Sequence, residues 1–226
     1  MGIIPFFKHR YPTVEIYAST RCWESFQIPK AIDTINNFSR SVAKRMGKEG
    51  AYAAYELEWR DDIVGTIVSE GDRIDLEALV VQIIKAPGHS ACSLTAYVPQ
   101  LKVLFASNDG GAPYKDMVIA LGNSNFTQFQ HSLEKLKDLD TDYVCADHYG
   151  YVAGNEARAF IRQTIEAARQ ARVSLEEAYR RTGDVDDAAR DFTDDFYRKN
   201  PDYFLPTAIF QGVFRQMIRH LAEVMK

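Results

Sequence analysis

Ile83-Ile84-Lys85-Ala86-Pro87-Gly88-His89-Ser90 and, a hairpin later, Lys102-Val103-Leu104-Phe105-Ala106-Ser107-Asn108-Asp109 decide the fold of this chain. The first stretch leaves the apolar run Leu79–Ile84, which reads as a buried strand, and breaks at Pro87-Gly88 into an irregular loop. Leu94–Val98 and Val103–Ala106 read as a strand pair joined by the tight Pro99–Lys102 turn. Asn108-Asp109-Gly110-Gly111 is a strong loop signal. A polar residue thus stands just past a buried strand twice, as His89 and as Asp109. The pattern repeats once more, where the strand-like Tyr143–Ala146 runs into Asp147-His148. Strand ends are rigid mounts and the loops after them are free to vary, so side chains placed there suit chemistry.

Outward from this centre, Glu70-Gly71-Asp72-Arg73 marks a turn upstream of Leu79–Ile84. Further upstream, Ile28, Ala31, Ile32, Ile35, Phe38 and Val42 recur at helical spacing from Pro29 onward. A short helix is expected over Ala51–Glu58 and a strand over Val14–Ala18. Downstream, Phe126–Leu139 is an amphipathic helix with Phe129, Leu133, Leu136 and Leu139 on one face. Asp147–Gly154 reads as loop. Only helices follow: Asn155–Arg181, Asp184–Lys199 with acidic residues in its first turn, and about Pro206–Met225. The last carries the stripe Phe210, Val213, Phe214, Met217, Ile218 and Leu221. The organisation is therefore an α/β part over 1–154 and a helical extension over 155–226.

The 226 residues suffice for a sizeable core. Hydrophobic residues make up 46% and charged residues 26%, a globular rather than a disordered composition. A formal net charge of −4 without a basic cluster argues against a nucleic-acid partner. Apolar runs stay far below the roughly 20 residues of a membrane span, so no membrane partner is expected. Three cysteines, an odd number in dissimilar contexts, fit reduced thiols in a cytoplasmic protein.

His89, a carboxylate at Asp109 and His148 are the donor types of a zinc, iron or manganese site. Singly, each has an ordinary reading: a turn histidine after Pro87-Gly88, a turn aspartate before two glycines, and a loop histidine between Asp147 and Tyr149. Tyr149, Tyr151, Phe210 and Phe214 are candidates to line a substrate cleft, with core or dimer packing as the plain reading of the last two. No Gly-x-Ser-x-Gly elbow accompanies Ser90 or Ser93, and no glycine-rich phosphate loop precedes a helix.

Taken together these segments resemble the metallo-β-lactamase superfamily over about residues 1–155. There, a Pro-Gly-His ligand loop leads through a hairpin to Val-Leu-Phe and a Gly-Asp ligand. A helix, a strand and a further histidine loop follow, as Phe126–Leu139, Thr141–Val144 and Asp147-His148-Tyr149-Gly150 do here. The helical stretch Gln27–Trp59 and the helical tail are most similar to the thioesterase-like branch that contains the quinolone-signal response protein. The resemblance implies an α/β fold, the αββα sandwich (mostly its C-terminal half) with a C-terminal helical extension. It also implies hydrolysis of a small ester or thioester, with a divalent metal, zinc before iron or manganese, held by His89, Asp109 and His148.

Two departures qualify that expectation. The family's H-x-H-x-D-H signature is absent, and Met1-Gly2 stands where the family has residues just after it. The sequence is thus expected to be N-terminally incomplete, to hold metal weakly or not at all, and to run the reaction poorly. An exposed sheet face and a homodimer or poor solubility are expected with it. Secondly, the family's Gly-Asp aligns with Ser107-Asn108, so that Asn108 is the alternative ligand and Asp109, one step late, the favoured one. A non-catalytic binding or regulatory protein on the same fold is the rival reading.

Overall fold

The computed structural model describes residues 4–60 and 62–226; the Met1-Gly2 position lies outside them. The chain divides into two compact units, Met1–Ser69 and Glu70–Lys226.

The first unit is mainly helical: α1 (Ile4–Arg10), β1 (Tyr17–Ala18), α2 (Thr20–Ser25), α3 (Pro29–Arg45), α4 (Glu49–Ala54) and β2 (Thr66–Ile67), with β1 and β2 parallel. Ser19 caps α2 by accepting from the Cys22 N–H, and Pro29 opens α3 at a position where its missing N–H costs nothing. Phe26, Trp59 and Ile63 form the core, with Ile32 and Ile35 of α3 packed on it. Buried Asn36 holds the Trp59 backbone through both ends of its amide, at 2.9 and 2.8 Å. Ile28 and Phe38, assigned by spacing to the apolar face of α3, are about half exposed. Of the expected strand Val14–Ala18 only the last two residues pair, and the expected helix at Ala51–Glu58 is Glu49–Ala54.

The second unit holds β3 (Arg73–Leu76), β4 (Leu79–Lys85), β5 (Leu94–Val98), β6 (Val103–Ser107), β7 (Ala112–Tyr114), β8 (Met117–Ile119), α5 (Phe126–Leu136), β9 (Tyr143–Ala146), β10 (Tyr151–Ala153), α6 (Asn155–Thr182), α7 (Val185–Lys199) and α8 (Thr207–Val224). Six strands form one sheet in the order β10-β9-β6-β5-β4-β3; β6 and β9 run parallel and the other neighbours antiparallel. The β7–β8 hairpin stands apart. The residues read as loop over 147–154 include β10, and β3 and the hairpin add strands beyond those expected.

One face of the sheet, with Tyr97, Leu104, Ala106 and Val144, joins the large core that also contains α5, α6 and α8. Burial of Phe126, Phe129, Leu133 and Leu136 on α5, each at or below 1% exposure, is worth about 1.5–3 kcal/mol per side chain. The helices beyond Gly154 are therefore part of this core. On the other face, Phe105 and Tyr151 lie in one row across Cys145 and remain 50% and 64% exposed. Among the described residues no helix is long and apolar enough to cross a membrane.

Candidate metal centre

The loop after β4 is stapled to the start of α5. Gly88 O accepts from the Ser124 and Asn125 N–H groups, both at 2.9 Å, and the Ser132 hydroxyl donates to Pro87 O at 2.8 Å. Gly88 sits at φ +144°, and a Cβ there would lie 2.3 Å from the Phe129 Cα, so only glycine lets the loop lie this close to the helix. His89 follows directly. Its Nδ1 is 3.0 Å from Leu121 O. A carbonyl can only accept, so Nδ1 carries the proton and Nε2 keeps its lone pair. Burial, against the opposing pull of the Leu121 bond, lowers the pKa of the ring and favours its neutral form. A neutral imidazole whose second nitrogen is tied to a carbonyl is the state in which histidine ligates metals.

Asp109 lies in the short 3₁₀ turn Asn108–Gly110 after β6. It is 2% exposed, and its Oδ1 is buried without a hydrogen-bond partner. Burial pushes the carboxyl up to about 7, even though the Ser93 hydroxyl and the His89 backbone N–H favour the ionised form. An orphaned carboxylate oxygen in the interior is costly unless a cation or donor answers it.

How Asp109 comes to be buried is visible in the strand register. Phe105 pairs with Cys145 and Ser107 with Ala146, so β6 carries one extra residue against β9, a bulge that redirects the chain. Ser107 takes φ 52°, a conformation that favours glycine. Asn108, the alternative ligand, is half-buried, and its amide donates to Asp147 Oδ2 at 2.9 Å.

The third loop is less constrained. Tyr149 is left-handed at φ 63° and Gly150 at φ 90°, and the turn closes through Ala146 N–H to Gly150 O. The His148 ring packs against Phe204 with centroids 5.0 Å apart. Asp147 and His148 are close enough to His89 for their charges to influence its proton affinity, and Asp147 influences Asp109 as well. The fold thus brings all three loops to one end of the sheet. Even so, among the described residues no three His, Cys, Asp or Glu side chains converge as a metal-holding group. Asp109 and His89 fit a metal by their chemistry; with His148 they do not make a formed three-ligand site. Elsewhere, His9 pairs with Glu56 at 3.1 Å, and His220 Nε2 lies 3.1 Å from the Thr127 hydroxyl.

Of the four residues expected in a cleft, Tyr149 and Phe210 share Tyr203 as a neighbour, Phe214 packs on Phe210, and Tyr151 contacts Tyr143 instead. Tyr149 also touches Tyr114 and Phe204. Phe210 and Phe214 are buried between α7 and α8, against Phe196. Sequence reasoning missed Leu121, which orients His89, and weighed Ser93 only as a nucleophile rather than as a group that favours ionised Asp109. Neither has a local signal, since one acts through a backbone carbonyl and the other is a serine among several.

No family model and no curated protein matches the sequence. Solved structures do. A metallo-beta-lactamase family protein from Thermus thermophilus is similar over 99% of this chain and 71% of its own, with a TM-score of 0.63 and 16% identity. An archaeal metallo-beta-lactamase superfamily protein from Sulfolobus tokodaii covers 99% of this chain and 75% of its own, at TM-score 0.57 and 14% identity. A beta-lactamase domain protein from Burkholderia ambifaria covers 76% and 50%, at 0.54 and 17%. At such identities the likeness is one of fold.

Proposed function

The chain has the metallo-β-lactamase fold, and from that premise we propose that it is a metal-dependent hydrolase of the ester or thioester type, with His89, Asp109 and His148 as its own share of the ligands. One observation carries the reading: the orphaned Oδ1 of buried Asp109, beside a His89 whose Nδ1 is committed and whose Nε2 is not. A divalent metal, zinc before iron or manganese, would supply electrostatic stabilisation and an acidified water. The chain's own residues do the rest. Leu121 fixes the tautomer of His89, Ser93 and the His89 N–H favour the ionised form of Asp109, and the bulge in β6 brings Asp109 to the loop cluster.

An open catalytic zinc usually takes three protein ligands, and here two are prepared while His148 packs on Phe204. Turnover is therefore expected to be slow. The Asn108–Asp147 hydrogen bond favours the second reading, a non-catalytic binding protein on the same fold, because it occupies polar groups that a metal centre would use. A cytoplasmic location and self-association through the exposed Phe105 and Tyr151 face belong to the proposal, and sedimentation at two concentrations tests the latter.

Elemental analysis after equilibration with zinc tests the ligands. The expected result is about one zinc per chain, lost in His89→Ala and in Asp109→Ala, with slow hydrolysis of simple thioesters. No uptake, or uptake indifferent to both substitutions, supports the non-catalytic reading.

A further inference from the structure

Adjoining the loop cluster at Leu121, a groove of about 830 Å³ runs between the β7–β8 hairpin and helices α6, α7 and α8. Its volume lies within the roughly 300–1,000 Å³ of ordinary ligand sites. The groove exists because α6 presents Ala167 and Ala171, one turn apart, where a fully packed bundle would place large side chains. The opposite wall is aromatic. Phe192, Phe196, Phe210 and Phe214 form a continuous cluster, with ring centroids 4.6 Å apart for Phe192–Phe214, 4.8 Å for Phe196–Phe210 and 4.4 Å for Phe210–Phe214.

The polar margin has a sign. Asp116, Glu156 and Glu166 contribute carboxylates. Lys115 is the one cation among the described lining residues, and it is held by Asp202 at 2.6 Å. Glu166 lies 3.9 Å from Arg169, whereas Asp116 and Glu156 have no ion pair among the described residues, so the margin keeps a net negative charge that repels an anionic ligand and favours a cationic one. None of His89, Asp109 and His148 lines the groove.

We infer that this groove is a second ligand site, distinct from His89, Asp109 and His148, which takes a small amphiphile with an apolar body and a positively charged head. The apolar body fills the space over Ala167 and Ala171, against the phenyl wall, and the head lies at the acidic margin.

Calorimetric titration of the whole chain, in chelator, with decyltrimethylammonium below its micellar concentration tests this. Saturable one-site binding is expected, with decanoate at least about tenfold weaker. Ala171→Trp should weaken binding by about tenfold or more by filling the space. Gln170→Trp, at the exposed margin, should obstruct the mouth without disturbing the core, which keeps the test usable if the first variant does not fold. The Glu156→Gln, Glu166→Gln double variant should weaken the cation by about threefold or more and narrow the preference over decanoate. Binding should persist in His89→Ala, which separates this site from the proposed metal ligands. Non-saturable uptake, equal binding of decanoate, or binding indifferent to the tryptophans overturns the inference.

Discussion

The loop carrying His89 and the loop carrying His148 leave the same sheet, yet they are built on opposite terms. The first is bound to α5 through Gly88 and Pro87 carbonyls, and its histidine is oriented by Leu121. The second closes through a single backbone bond to Gly150, keeps Tyr149 in a left-handed conformation, and leaves the His148 ring on exposed Phe204. One half of the candidate centre is preformed and the other is not. The difference lies in what each histidine packs against: for His89 a loop seated on a helix buried along its inner face, and for His148 the exposed ring of Phe204. Preorganisation of His89 thus comes from the helix that seats its loop together with the Leu121 carbonyl that holds its ring.

The largest expected effect breaks the ordered side of this comparison. Gly88→Ala should destabilise the protein by about 3–5 kcal/mol, since the methyl meets the α5 backbone and the residue is left in a conformation foreign to alanine. Urea unfolding measures it, and a loss below about 1 kcal/mol would show that the loop is not seated on α5.

Next comes the buried carboxylate. Because burial raises Asp109 from 3.8 to about 7, the folded state prefers the protonated form. Its contribution is fully present below the unfolded pKa, declines as pH rises between the two values, and is lost above the folded one. The shift corresponds to as much as about 4 kcal/mol. In chelator, Asp109→Asn should therefore be more stable than the parent at pH 8 and similar to it at pH 3.5. Parallel unfolding midpoints for the two proteins across that range would contradict the burial of Asp109.

The bulge offers a smaller effect. Ser107 holds a positive φ, so Ser107→Gly should stabilise by about 1 kcal/mol, read as a raised melting temperature. Smallest of all is Asn108→Ala. Its bond to Asp147 is exposed, and the stability change should stay within about 0.5 kcal/mol. If zinc uptake falls with Asn108→Ala and survives Asp109→Ala, the ligand assignment moves from Asp109 to Asn108.

Much of this architecture was legible in the sequence. The strands around Ile83, Leu94, Val103 and Tyr143 announce themselves by apolar runs and turn residues, and α5 and α8 by their stripes. The placement of His89, Asp109 and His148 past strand ends follows from the same signals. Other features were not legible for physical reasons. β7 and β8 are three residues each, with Pro113 in the first, too short and too broken for an alternation to show. β10 is equally short and follows a loop. The extra residue in β6 is a relation between two strands far apart in sequence, and the Leu121 carbonyl that orients His89 is equally remote. Phe38 matched a helical stripe by spacing, yet the first unit has a small core that reaches only part of that face.

The central claim is that the His89 half of the centre is formed before any metal arrives. Long-range ¹⁵N–¹H correlation of the imidazole rings in the metal-free chain tests it directly. The account predicts a neutral His89 at pH 7 in a single tautomer, protonated on Nδ1, with His89→Gln assigning the signal. An averaged pair of tautomers, or a proton on Nε2, would mean that Leu121 does not hold the ring and that the half-site is not preformed.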